Sequence, residues 1–191
     1  MSKGWKILLG VVAAVVIIGF IIVVWGIGGY NRVVAMDEQI KGQWAQVDNQ
    51  LKRRYDLIPN LVEAVKGYAK HEKDVFENIA EMRTRYFQAN TVKGKIEASN
   101  QLEGALSRLL FLQETYPVLK ANESFLKLQD SLEGTENRIS VERKRYNDAV
   151  QELNTYRRTV FGRIFTSLAG VSEAEYYKVP EVEKAAPKVK F

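Results

Sequence analysis

Cysteine is absent from this 191-residue sequence, histidine occurs once and proline four times. Without a thiol the chain can form no structural disulfide, no cysteine-ligated zinc site, no lipoprotein-type anchor and no thiol nucleophile. His71 is followed by Glu72 but by no second histidine at zincin spacing, so the sequence offers no conventional metal-hydrolase or Ser-His-Asp set. His71 reads as a turn or surface residue. Nucleotide-binding glycine fingerprints and the G-x-S-x-G elbow are also missing, and no cofactor is expected. Two of the four prolines fall in the last dozen residues, so long helices are free to form before them. Runs of alternating β-branched residues bounded by turn residues are lacking, which argues against strands. The charge, +5 from 28 basic and 23 acidic residues, is too mild to suggest nucleic acid as a partner.

What the chain does have is one long apolar run. From Ile7 to Asn31 no side chain is charged, and the core reads ILLGVVAAVVIIGFIIVVWGIGG. Some 25 helical residues would span ~37 Å, enough to cross a hydrocarbon core ~30 Å thick. Trp5 stands at one end and Trp25 and Tyr30 at the other, where interfacial aromatics anchor a span. Ile7, Val16 and Phe20 would face the lipid. The run is too long for a signal-peptide core and has no A-x-A-like cleavage site after it. Residues 1–29 are therefore expected to be a retained membrane anchor. Lys3, Lys6 and the terminal amine on one flank, against Arg32 and Lys41 beside Asp37 and Glu38 on the other, lean toward a cytoplasmic N-terminus and a periplasmic domain.

Beyond Tyr30 the apolar period is helical. Ile40, Trp44, Val47, Leu51, Tyr55, Ile58, Val62 and Val65 step by three and four and make one stripe. Pro59 interrupts it without shifting it, which predicts a kink rather than a stop. Val75, Ile79, Met82 and Tyr86 predict a second helix. Asn90 to Gly94 reads as a turn, and Ile96, Leu102, Leu106, Leu109 and Leu112 predict a third helix, which Tyr116-Pro117 ends. A fourth helix carries Phe125, Leu132, Ile139, Tyr146 and Leu153 at a seven-residue step. Thr135 and Glu142 make its middle partly polar. The expected fold is all-α: an N-terminal transmembrane helix continuing into an elongated antiparallel bundle of about four helices over residues 30–170. Ser172 with Glu175 has capping-box spacing and predicts a short helix over Ala174 to Lys178. From Pro180 to Phe191 a charged tail is expected to be mobile.

Three groups of basic residues are candidate lipid or partner contacts. Lys52, Arg53 and Arg54 sit beside Tyr55, and Arg143, Lys144 and Arg145 beside Tyr146. Arg157, Arg158 and Arg163 are interleaved with Phe161 and Phe165 where the fourth helix is expected to return to the bilayer, a composition suited to an anionic lipid surface. Each has a plainer reading. The first two groups could be solvated surface pairing with Asp56, Glu136 or Glu142, and Phe161, Ile164 and Phe165 could cap the bundle core. Asn60, Asn137, Asn147 and Asn154 stand next to core positions, where a buried asparagine can set helix register.

Two long stretches resemble the bacterial LemA family: WAQVDNQLKRRYDLIPNLVEAVKGYAKHE, from Trp44 to Glu72, and YPVLKANESFLKLQDSLEGTENRISVERKRYNDAVQELN, from Tyr116 to Asn154. An apolar helix followed by Tyr30-Asn31 fits the same pattern. The resemblance runs from the anchor to about Tyr177; the individual span residues and the tail after Pro180 match poorly. It implies a single-pass bacterial inner-membrane protein with an antiparallel bundle and no established enzymatic activity. A relative takes part in building magnetosome membranes, which implies membrane shaping. The expected function is a non-enzymatic, self-associating scaffold that organises or remodels the membrane. The alternative is an envelope binding or sensory module acting through another envelope protein.

Overall fold

A computed structural model of the chain describes residues 3–178. The tail from Pro180 to Phe191 lies outside them. The described residues form five α-helices, a 3-10 turn and no strand. Helix α1 runs over Lys3–Lys66, α2 over Lys73–Gln88, α3 over Val92–Thr115, α4 over Glu123–Arg158 and α5 over Val160–Leu168. The 3-10 turn, Pro117–Ala121, separates α3 from α4.

Pro59 lies inside α1 and does not end it. Its missing N–H frees the carbonyl one turn earlier, on Tyr55, and the Arg83 side chain donates to that oxygen at 3.4 Å. The bond is long, but it gives a buried acceptor a partner. Thr91 caps α3, accepting from the Gly94 N–H at 3.1 Å, so the expected Asn90–Gly94 turn is shorter than its composition suggested. Asn122 caps α4 through the Phe125 N–H at 3.0 Å.

The chain divides into two compact units. The bundle unit comprises Gly42–Asp148 and the segment from Glu175. Its helices alternate in direction. Trp44 meets Tyr146 with ring centroids 5.5 Å apart, and Arg54 pairs with Glu136, so α4 runs opposite to α1. Asp48 meets Tyr86 and Tyr55 meets Arg83, so α2 also opposes α1, whereas α3 runs along it, with Lys95 at Asp48 and Glu103 at Arg54. The core of this unit is the predicted stripe: Val47, Leu51, Tyr55, Ile58 and Val65 of α1 and Phe125, Leu132, Ile139 and Tyr146 of α4 are buried, with Ile79, Met82 and Tyr86 of α2 and Leu102, Leu106 and Leu109 of α3. Val62 is only half-buried and Leu61 takes its place inside.

The anchor unit comprises the chain through Lys41 and Ala149–Ala174. Here the first part of α1 is apolar all round, and the end of α4 and α5 pack against its later turns. Val33, Met36 and Ile40 of α1 are buried, as are Val150 and Leu153 of α4. Arg32 lies over the Tyr156 ring, 4.8 Å from its centre.

Two sequence expectations fail here. The fourth helix does not run on to Phe165: it stops at Arg158, and Thr159, in an extended conformation, caps a separate helix by accepting from the Gly162 N–H at 3.0 Å. The short helix over Ala174 to Lys178 does not form either; Val171–Lys178 has no regular secondary structure. Its backbone groups are taken by asparagine side chains instead. In the anchor unit Asn154 donates to the Ala174 carbonyl at 2.9 Å and accepts from the Ala174 N–H at 3.1 Å. In the bundle unit Asn147 does the same to Tyr177 at 3.0 and 2.8 Å. A primary amide matches the donor and acceptor of one extended residue, so each asparagine holds that residue much as a neighbouring strand would. Asn60 and Asn137 are exposed and set no register.

Candidate functional site at the end of the apolar span

One helix among the described residues, α1, is long and apolar enough to cross a membrane, and none of its most apolar stretch is buried. Trp5, Ile7, Val16, Phe20, Trp25 and Tyr30 are all exposed. A fully apolar helical surface of this length is unfavourable in water and ordinary in lipid, where the helix satisfies its own backbone.

At the C-terminal end of this stretch α5 docks onto α1. Phe165 turns inward and lies against Gly29, where any Cβ would overlap its ring. Trp25 contacts both Phe165 and Phe161 edge-on, with centroids 5.0 and 4.9 Å apart. Gly162 permits the tight turn into α5, because a Cβ there would collide with the Tyr156 carbonyl. Gly170, at φ 66°, ends the helix, with the Val171 N–H returning to the Thr166 carbonyl at 2.9 Å.

Helix α5 therefore has three faces. Gly162, Phe165 and Thr166 are buried. Val160, Phe161, Ile164 and Leu168 form an apolar face that is 78, 56, 51 and 69% exposed. Arg163 and Ser167 occupy the polar remainder. Within this segment Phe165 packs inside while Phe161 and Ile164 face outward. Arg158 is exposed, and Arg157 pairs with Glu173 at 3.2 Å.

The other two basic clusters lie in the bundle unit and are largely paired there. Arg54 is no surface residue: only 6% exposed, it bonds Glu103 at 2.5 Å and Glu136 at 2.7 Å. Burial works against its charge, but the two carboxylates more than offset that and raise its pKa. Burial raises the Glu136 carboxyl above the ordinary range despite Arg54. Lys52 bonds Asp48, Lys144 bonds Asp148 and Arg145 bonds Glu142. Arg143 lies over the Tyr177 ring at 5.6 Å. Arg53 is exposed.

Asp48 is a centre that the sequence pattern did not single out. It accepts from the Tyr86 hydroxyl at 2.5 Å, from Lys95 at 2.7 Å and from Lys52 at 2.9 Å. Burial pushes its carboxyl up, and the three donors together hold it below the usual range. The Tyr86 ring stacks on Tyr55 at 4.1 Å, and burial next to Asp48 raises the Tyr86 hydroxyl well above its ordinary value. This arrangement ties α1, α2 and α3 together. Among the described residues no group of three or more histidine, aspartate or glutamate side chains could hold a metal ion. His71 is exposed in the turn after α1.

The model of the LemA family matches residues 43–191, which include the bundle, α5 and the segment that the asparagines hold. The chain belongs to the LemA family. Among similar proteins are the magnetosome proteins MamQ 2 and MamQ 1 of Paramagnetospirillum magneticum, each 24% identical over 175 residues, 78% of this chain and 64% of the relative. Protein LemA of Metamycoplasma hominis is 20% identical over 159 residues, covering 83% of this chain and 73% of that protein. The chain thus spans somewhat under two thirds of the length of the MamQ proteins it matches.

Proposed function

We propose that this LemA-family chain is a membrane-anchored helical scaffold that self-associates and organises or remodels a bacterial membrane. The observation that carries this reading is the wholly exposed apolar stretch of α1, a surface that only lipid covers well. The magnetosome names of the MamQ relatives are in keeping with a role at membranes. With one histidine and no cysteine the chain offers no thiol nucleophile and no histidine cluster, in keeping with a non-enzymatic reading. In an inner membrane, the charge flanking the span favours a bundle on the periplasmic side.

The test is reconstitution of the full chain into liposomes at rising protein-to-lipid ratio, with assembly followed by crosslinking and liposome shape by electron microscopy. Concentration-dependent oligomers together with deformed liposomes are expected. A strictly monomeric protein in undisturbed vesicles would defeat the proposal.

A second reading has one observation in its favour. A groove of about 560 Å³ lies in the bundle unit between α1 and α4, beside Arg53, Asp56, Asp130, Gly134 and Arg138. A Cβ at Gly134 would meet nothing within 4 Å, so glycine there widens the groove. Charges of both signs suit a polar segment of another envelope protein, as a binding or sensory module requires. Crosslinks from Arg53→Cys in native membranes that capture a protein other than a second copy of this chain would favour this reading.

A further inference from the structure

We infer that α5 is an interfacial helix: its Val160, Phe161, Ile164 and Leu168 face lies in the bilayer, at the headgroup–acyl boundary of the leaflet entered by the C-terminal end of the span. This rests on the membrane-anchored reading above and adds a second, non-spanning contact with the same bilayer.

Place in the fold names the occupant. Gly29 and Trp25, which receive Phe165 and Phe161, belong to the last turns of the uncharged stretch Ile7–Asn31. When that stretch sits in hydrocarbon, its end lies at the interface, and a helix packed on that end lies there too. Spacing supports the assignment. Val160, Ile164 and Leu168 recur every four residues and Phe161 flanks them, so the four share one side of a nine-residue helix. The buried face points to α1 and the outward face to whatever surrounds α1 at this level, which is lipid. Charge agrees as well. Exposed Arg158 and Arg163 border the apolar face, and an apolar face edged with arginine is the composition of helices that lie in an anionic interface with their apolar side ~5–10 Å deep. Thr159 separates α5 from α4 by capping it, its hydroxyl accepting from the Gly162 N–H.

The absence of native cysteine makes the test direct. Val160→Cys, Ile164→Cys and Leu168→Cys are each spin-labelled in the full chain and reconstituted into phosphatidylcholine vesicles containing phosphatidylglycerol. Accessibility to oxygen and to a water-soluble nickel chelate is then compared with Val16→Cys in the span and Lys127→Cys on the exposed bundle surface. The expected result is a several-fold rise in the oxygen-to-nickel ratio at all three α5 positions over Lys127→Cys, with Ser167→Cys shallower than its neighbour Leu168→Cys. A Val16→Cys label in lipid with α5 labels as open to nickel as Lys127→Cys would overturn the inference and leave the anchor standing. A water-exposed Val16→Cys label would overturn the anchored reading and the inference with it. If Ile164→Cys instead shows spin–spin broadening that vanishes on dilution with unlabelled protein, without an oxygen preference, a second copy covers the face and the inference fails. Three separately labelled positions, each already exposed to 51% or more, keep the result independent of one variant's folding.

Discussion

The two units of this LemA-family chain treat polar and apolar groups in opposite ways. In the bundle unit the apolar stripe is hidden, and the buried charges Asp48 and Arg54 have partners on other helices. In the anchor unit most of the apolar surface of α1 and one face of α5 are open, and basic residues cluster beside them. Such a difference is intelligible if the units fold against different solvents. Water drives a stripe inward and requires buried charge to be paired. Lipid lifts the first demand, provided each backbone group bonds within its own helix, but not the second: charge is kept out of hydrocarbon and stays at the interface.

The sharpest way to break this contrast is to delete large side chains from both units. Tyr86→Ala removes a buried ring stacked on Tyr55 and a donor to Asp48. It should cost about 3–5 kcal/mol in denaturant unfolding of the detergent-solubilised full chain. Leu168→Ala, on the open face of α5, should change the same measurement by no more than about 0.5 kcal/mol. Equal losses from both would erase the distinction.

Next in size is the Arg54 triad. Arg54→Met leaves Glu103 and Glu136 facing one another without their cation, and breaking a buried ion pair costs about 3–5 kcal/mol. Both carboxylates keep some contact with solvent, so the low end is expected. Adding Glu103→Gln and Glu136→Gln should restore most of the loss, measured as the return of the denaturant midpoint. No recovery would mean that Arg54 acts through packing of its stem rather than its charge.

Smaller still is the asparagine clamp. Asn147→Ala orphans the Tyr177 N–H and carbonyl, at a cost of about 1–3 kcal/mol. The loss should appear as faster hydrogen exchange at Tyr177, with α2 and α3 amides little changed. Thr159→Ala removes the α5 cap, worth about 0.5–2 kcal/mol. Exchange should rise at Gly162 while the bundle melt stays put; a shift of the whole melt would show that α5 is not an independent local element.

The mildest test is titration. The Asp48 carboxyl is held below its ordinary value of 3.8 in the folded chain. Its stabilising contribution is thus complete above that value and is lost as pH falls through the lower folded value. Denaturant midpoints between pH 5 and acid should therefore fall less steeply in Asp48→Asn than in the parent at the acid end. Parallel curves would remove Asp48 as the source.

Most of the fold was legible because long helices advertise themselves. The seven-residue step through Phe125, Leu132, Ile139, Tyr146 and Leu153 is buried throughout, and the stripe through Pro59 survives as one helix. The break at Thr159 was legible in principle: a threonine directly before an apolar run is a cap signal, but the continuing helical period masked it. The capping-box spacing of Ser172 and Glu175 misled, since Asn147 and Asn154 compete for the same backbone groups from far along the chain. Arg54 resembled its neighbours Lys52 and Arg53 in composition; only one of the three points inward.

The sequence alone determined the all-α class, the apolar span and the stripes, because each follows from local periodicity and from side chains that dissolve in one medium or the other. Tertiary structure decided what periodicity cannot encode: which cation meets two carboxylates, which asparagines hold an extended segment, and that Phe165 fits the notch at Gly29 while Phe161, Ile164 and Leu168 stay outside. Those outcomes depend on residues distant in the chain arriving at one place, and partners 20, 30 or 82 positions away leave no trace in the local pattern.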